Sequence, residues 1–249
     1  MNDAVSNLLL RHVMLSQSRL GRLRLRWRAR LLRLFWLCAV RGALVLKRGI
    51  DITVSLSALI LLSPLLIVVA LLIRLDGGPI FFKQRRVGLL GSHFGMFKFR
   101  SMCVDAEARL AALLAQNEKA GGVTFKMKND PRITQIGRFI RKTSIDELPQ
   151  ILNILRGEMS LVGPRPPVPR EVALYTQEDR RRLLVKPGLT CLWQVGERRG
   201  GLFEVGDRNQ IDFPEQVSLD VRYIEQQSLW RDLWIIVKTV PAVLLGKGC

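Results

Sequence analysis

The stretch ITVSLSALILLSPLLIVVALLI, residues 52–73, decides the architecture of this chain. It runs 22 residues without a charge. As a straight helix rising about 1.5 Å per residue it would extend about 33 Å, the thickness of a bilayer core. Taken alone it reads as a transmembrane helix, but two features oppose a simple span. Ser63-Pro64 stands at its centre, where proline deletes a backbone hydrogen bond and bends a helix. Both flanks are basic: Arg41, Lys47 and Arg48 precede it, and Arg74, Lys83, Arg85 and Arg86 follow. Cationic flanks stay on the cytoplasmic side, and a straight span would leave one set outside. A helix that enters, turns at Ser63-Pro64 and returns keeps both sets on one side. A re-entrant membrane hairpin is therefore the expectation for residues 47–75, with the plain span as the alternative.

Before this segment the chain is rich in arginine. Residues 1–48 hold eleven Lys or Arg against the single acid Asp3, so ten of the eighteen net positive charges fall in a fifth of the chain. On a helical wheel at 100° per residue, Arg19, Arg22, Arg26, Arg30 and Arg33 fall within about 80° of one another. Val13, Leu20, Leu23, Trp27, Leu31 and Leu34 gather opposite, and Arg24 and Arg28 stand at the margin, where long side chains snorkel. Residues 1–46 thus read as a basic amphipathic segment lying in the membrane interface against anionic lipids. An arginine-rich transit peptide or a solvated basic helix would share that composition.

The whole chain is both basic and greasy, with 39 Lys+Arg, 21 Asp+Glu and 48% hydrophobic residues in 249. Mean hydropathy is +0.15. Disordered basic tails and histone-like proteins are basic but poor in aliphatics, so they are excluded. Cys38, Cys103, Cys191 and Cys249 form no CxxC pair, and His12 and His93 are the only histidines. A histidine triad or a multi-histidine zinc site is not expected. Chemistry must come from carboxylates and arginines, with or without a hard cation.

Beyond Ile73 the pattern is that of a soluble or surface-bound domain, residues 76–249. Asp76-Gly77-Gly78-Pro79 is a turn. Short strand-like runs at 80–83 and 94–99, with Gly88 and Gly91 between, predict a β-hairpin. Residues 106–119 predict a helix ended by Gly121-Gly122, and seven prolines between 131 and 187 keep later helices short. Residues 228–245 are apolar, with Trp230 and Trp234, and suit either a membrane surface or a core. The expected class is α+β and mostly helical: a re-entrant helix, a cytoplasmic domain of short helices with a small hairpin, and interfacial amphipathic helices.

Two constellations carry charge into the centre. In RKTSIDELPQILNIL, residues 141–155, Asp146 and Glu147 follow Arg141 and Lys142. Ser144 to Glu147 matches a helix capping box. Alternatively, Pro149 belongs in a first helical turn, which puts both carboxylates at the positive end of the helix dipole, a place that also receives phosphate. In GEMSLVGPRPPVPR, residues 157–170, Arg165 is stiffened between Pro164 and Pro166, and its guanidinium suits a phosphate or carboxylate.

These motifs, in order, resemble the bacterial sugar transferase family, the monotopic phosphoglycosyl transferases that begin glycan assembly on a polyprenyl phosphate. The resemblance runs from Lys47 to Gly248. It rests on KRGID, Ser63-Pro64, GGPIFFKQRRVG, FKFRSM, DPRITQIGRFIRKTSIDELPQ, RGEMSLVGPRP, KPGLT and LDVRYIEQQSLWRDLWIIVKTV. It implies that Ser63 and Pro64 make the membrane bend and that Asp146-Glu147 is the catalytic dyad. By the same resemblance, Asp146 attacks the β-phosphorus of a UDP-sugar, releasing UMP, and undecaprenyl phosphate then takes the phosphosugar from the aspartate. Glu147, with Asp146, would hold Mg2+. Arg141, Arg165, Lys98 and Arg100 would bind phosphate, with Pro164 and Pro166 shaping the site.

The implied setting is the cytoplasmic face of a bacterial inner membrane, in exopolysaccharide, O-antigen or glycoprotein glycan synthesis. Partners would be UDP-sugar, undecaprenyl phosphate and anionic lipids, with a homodimer compatible and no nucleic acid. A non-catalytic basic protein that binds membranes or nucleic acid is the competing class, and the ordered central motifs weigh against it. The sequence departs from the family pattern by an insertion near Glu197–Val205, which leaves Arg198, Arg199 and Arg208 without an assigned role.

Overall fold

A computed structural model describes residues 17–106, 108–109, 130–195 and 211–244, with the side chains of 39 and 240–244 excepted. The apolar stretch lies within one helix, α1, Arg19–Leu75, of 57 residues. Leu, Ala, Ile and Val supply it, and Pro64 lies inside. Proline has no N–H to offer the carbonyl four residues back, which is that of Ile60. The Ser63 hydroxyl takes that place and donates to the Ile60 carbonyl at 2.8 Å. The Ser-Pro pair thus repairs its own defect, which matters most where no water can do so. α1 is also the one helix among the described residues long and apolar enough to cross a membrane by length and composition.

The chain divides into two compact units, Met1–Gly49 and Ile50–Cys249. In the first, the described residues are helical from Arg19, and the Ser18 hydroxyl accepts from the Gly21 amide at 2.9 Å to cap the start. Leu20, Leu23, Trp27, Leu31 and Leu34 are exposed, as are Arg19, Arg22, Arg26, Arg30 and Arg33.

In the second unit, the apolar segment is held at both ends and bare between them. At its start the buried Asp51 carboxylate accepts from the Ser160 hydroxyl at 3.1 Å and the Leu161 amide at 3.0 Å. At its end Val69 and Ile73 pack with Phe99 and Ile140. Leu56, Ile60, Leu61 and Leu65 lie exposed in the middle, Leu61 at 79%.

The predicted hairpin forms: β1, Phe81–Val87, pairs antiparallel with β2, His93–Phe99, from Phe81↔Phe99 to Val87↔His93. The first strand is longer than the expected run and takes Arg85 and Arg86 into the sheet. Its connection is a 3₁₀ turn at Leu89–Gly91, where Gly91 supplies a φ of 83°. Helix α2, Gln135–Lys142, is capped by the Thr134 hydroxyl accepting from the Gly137 amide at 3.0 Å. A 3₁₀ turn over Ile145–Gln150 runs into α3, Ile151–Arg156, which Gly157 ends at φ 82°.

Next come β3, Ser160–Val162, and α4, Pro169–Ala173. β4, Gly188–Thr190, lies parallel to β3. A Cβ on Gly188 would stand 2.1 Å from the Gly163 nitrogen, so only glycine admits this approach. Short α5, Leu192–Val195, precedes α6, Phe213–Glu225, and α7, Leu229–Leu244. The main core gathers Met96, Ile154, Met159, Val162, Leu192, Tyr223 and Ile235. Asn153, fully buried, locks α3 to β2: its carbonyl accepts from the Phe97 amide at 2.9 Å, and its NH2 donates to the Gly95 carbonyl at 2.9 Å.

The described part is therefore mostly helical with two small two-stranded sheets. The helix expected from 106 is seen at Ala106, 108 and 109, and the rest of it lies outside the described residues, as do Val13, the insertion near Glu197–Val205 and Cys249.

Candidate active site

The dyad sits where α2 stops and the chain turns back. Ser144 adopts a left-handed conformation, φ 56°, and its side chain makes no capping hydrogen bond. The capping box over Ser144–Glu147 is thus corrected: a left-handed residue cannot aim its hydroxyl at the third amide of a regular helix, and the Glu147 carboxylate is engaged elsewhere. Pro149 falls inside the 3₁₀ turn, where it leaves one i→i+3 hydrogen bond unmade. Asp146 and Glu147 occupy the first turn, close to the position that the proline argument gave.

Their surroundings differ sharply. Lys98 of β2 donates from Nζ to Glu147 Oε1 at 2.8 Å, and Arg165 Nη2 stands 3.7 Å from the same oxygen. Burial raises the Glu147 carboxyl, but Lys98, Arg165 and Arg86 outweigh it and bring the group down to about 2. Asp146 is 8% exposed. Burial pushes it up to about 6; Lys98, Arg141 and Arg165 oppose that rise, and the Glu147 charge adds to it. Among the described residues, no hydrogen bond or ion pair engages the Asp146 carboxylate. Two neighbouring carboxylates pushed apart in this way can take different roles.

Arg165 is presented by a clamped loop. The Gly163 amide donates to the Thr190 carbonyl at 3.0 Å, the Gly188 amide to the Pro164 carbonyl at 2.9 Å, and the Val87 amide to the Pro167 carbonyl at 2.9 Å. Buried Arg86 donates from Nη1 to the Pro166 carbonyl at 2.8 Å. Pro164 and Pro166 thus fix the loop through their carbonyls as well as their rings.

Of the predicted phosphate ligands, Lys98 and Arg165 meet at Glu147, while Arg141 stands in the last turn of α2 and acts on Asp146 by its charge. Arg100 is instead buried at the end of α1, which it closes: Nη2 donates to the Ile73 carbonyl at 3.0 Å and stands 3.9 Å from Asp76. Ser63 and Pro64 lie within α1. Sequence reasoning placed Arg86 only in a basic flank; its position before the buried Val87, in a strand that leads from exposed to buried, was the signal available.

Among the described residues no group of three or more His, Cys, Asp or Glu gathers as a metal site. Mg2+ commonly takes one or two carboxylates and completes its shell with water and substrate phosphate. Asp146 and Glu147 fit that requirement.

A carboxylate pair, Asp146 buried and Glu147 half-buried, with Lys98 and Arg165 against it, on a unit whose helix shows bare apolar surface, suits anionic substrates at a lipid boundary. The chain belongs to the bacterial sugar transferase family, whose profile matches residues 42–246. It is 49% identical over 205 residues to the galactosyl transferase CpsE of Streptococcus agalactiae, covering 82% of this chain and 43% of that protein. It is 44% identical over 213 residues to the undecaprenyl-phosphate galactose phosphotransferase of Salmonella typhimurium, covering 84% and 43%. It is 42% identical over 206 residues to the UDP-galactose-lipid carrier transferase of Erwinia amylovora, covering 82% and 41%. The chain spans less than half the length of these relatives.

Proposed function

We propose that this chain is a sugar-1-phosphate transferase that moves the phosphosugar of a UDP-sugar onto undecaprenyl phosphate and releases UMP. The observation that carries the mechanism is the divided dyad: Glu147 is committed to Lys98, while Asp146 has no such partner and keeps an oxygen to give. In the first step, a carboxylate oxygen of Asp146 bonds to the β-phosphorus, the bridging P–O bond breaks, and UMP leaves with that electron pair. In the second, an oxygen of the lipid phosphate bonds to the same phosphorus, and the aspartyl P–O bond breaks, restoring the carboxylate.

Lys98, Arg141 and Arg165 neutralise and orient the phosphates, which is most of what phosphoryl transfer requires. Asp146 and Glu147 are the residues to hold Mg2+, which when bound would screen diphosphate charge. The lipid acceptor is supported by the Salmonella relative's name and the nucleotide sugar by the Erwinia relative's.

The apolar segment is a re-entrant, one-sided anchor. Its two ends, Asp51 and Ile73, both hold to the same folded unit, and a helix crossing the bilayer would carry one of them away from it. The arginine face of residues 19–33 lies against anionic headgroups. Trp230, Leu233, Trp234 and Val237, exposed at helical spacing on α7, are a second apolar face suited to the membrane interface. The catalytic unit works on the cytoplasmic face of the inner membrane, at the start of glycan assembly.

The test is a panel of UDP-sugars with undecaprenyl phosphate in detergent. UMP release from at least one sugar, lost with EDTA and regained with Mg2+, is expected; no release from any sugar overturns the reaction, and indifference to EDTA removes the metal. For topology, cysteines introduced near residues 45 and 80 should label from the same side. Labelling from opposite sides means a span.

A further inference from the structure

Arg86 lies outside the dyad and its phosphate ligands, yet it is a buried residue built into their support. It is 8% exposed. One arm, Nη1, donates to the Pro166 carbonyl at 2.8 Å, and the other, Nη2, donates to Gln84 Oε1 at 2.7 Å. The next residue of β1 repeats the grip, with the Val87 amide on the Pro167 carbonyl at 2.9 Å. Two successive residues of one strand therefore hold two successive residues of the loop that carries Arg165. Four of the residues from 164 to 169 are proline, so this loop offers few amides of its own for fixing it, and carbonyls must be gripped from outside. The guanidinium also lies within reach of the charges of Arg165 and Glu147, the former helping burial to lower it to about 10.

We infer that Arg86 is a positioning residue: through its bond to the Pro166 carbonyl it sets where the Arg165 guanidinium meets a phosphate beside Glu147. Its hold on the loop is a matter of geometry that charge alone does not reproduce. Lysine keeps the charge but cannot form the fork that reaches Pro166 and Gln84 together. The inference rests on the proposed reaction for its consequence, but its physical content is the hold on the loop.

The test uses the full chain in detergent and two readouts. First, hydrogen exchange is followed at Val87 and across Gly163–Val168 in the native protein and in Arg86→Lys. Exchange there should quicken by about tenfold, as the loss of a charge-assisted bond would allow, while α6 is unaffected. Unchanged exchange overturns the inference, whatever the protein catalyses. Second, UMP release is measured in a double-mutant cycle with Arg165→Ala. Arg86→Lys alone should cost about tenfold or more in kcat/KM, and should cost nothing further once Arg165 is gone. Additive losses would mean that Arg86 acts on its own account, and they overturn the positioning role.

Gln84→Met, which removes the second anchor from a half-buried side chain, should give the same pattern more weakly and guards against a folding defect in the arginine variant. If the native protein releases no UMP, the proposed reaction fails while the exchange result still decides this inference.

Discussion

The apolar helix and the dyad are built by opposite rules. In the middle of residues 52–73 the large aliphatics face outward, with Leu61 at 79% and Ile60 at 67% exposed. Around the dyad the charges face inward: Asp146 and Arg86 are each 8% exposed. A protein made for water alone inverts neither. The contrast teaches that this chain is folded for two solvents. On the proposed reading, lipid would take the place of a core for the helix, and phosphate the place of water for the charges.

If the two regions do separate jobs, each can be broken without the other. The largest effect falls on chemistry: Asp146→Asn should abolish UMP release, at least about a thousandfold as expected of a lost nucleophile, while membrane retention is unchanged. Assays of both on one preparation check it. Leu61→Arg, at an exposed apolar position, should do the reverse. A charge at bilayer depth costs about 2.5–3.5 kcal/mol, so membrane partitioning falls by roughly a hundredfold while activity in detergent persists; flotation on liposomes reads it.

Within the charged region, Lys98→Met removes the 2.8 Å partner of Glu147. UMP release should fall by about tenfold, and the Glu147 carboxyl should rise from its depressed value, visible as a new low-pH limb in the rate profile. The raised Asp146 predicts a further dependence: kcat/KM should climb with pH and level off above about 6, where the carboxylate is ionised. The smallest effect is on stability. Because Asp146 binds its proton more tightly when folded, its contribution is fully favourable below its ordinary 3.8 and is lost as pH rises through about 6. At pH 7.5, with metal chelated, Asp146→Asn should therefore melt higher and be more stable by on the order of 3 kcal/mol. An equal or lower Tm at pH 7.5 would mean that the native carboxylate is not strained.

Much of this contrast was legible in the sequence, and the limits have physical causes. The hairpin was readable because Gly88 and Gly91 punctuate alternating strands, and the helix because 22 uncharged residues allow little else. The Ser63-Pro64 pair was visible, but not that the hydroxyl replaces the proline's missing donor at Ile60. Local rules misjudged Ser144, since a capping box is a local device and its left-handed turn belongs to the packing of α2 against the dyad. Lys98 and Glu147 are 49 residues apart, and no spacing rule joins them. The resemblance brought them onto one map, and the fold supplied the bond. Arg100 and Arg86 look alike in the sequence, both basic and both beside strands. Both are buried, and only their partners, the Ile73 carbonyl for Arg100 and the Pro166 carbonyl for Arg86, distinguish the one that closes α1 from the one that grips the loop.

The central claim is that Asp146 itself takes the phosphosugar. The most direct measurement is the mass of the peptide containing Asp146 after the protein meets a UDP-sugar that it turns over, with the lipid acceptor withheld. A gain of one sugar phosphate on that peptide, matched by UMP in solution and discharged when undecaprenyl phosphate is added, is the predicted result. UMP release that requires the lipid from the outset, with Asp146 unmodified, would contradict it.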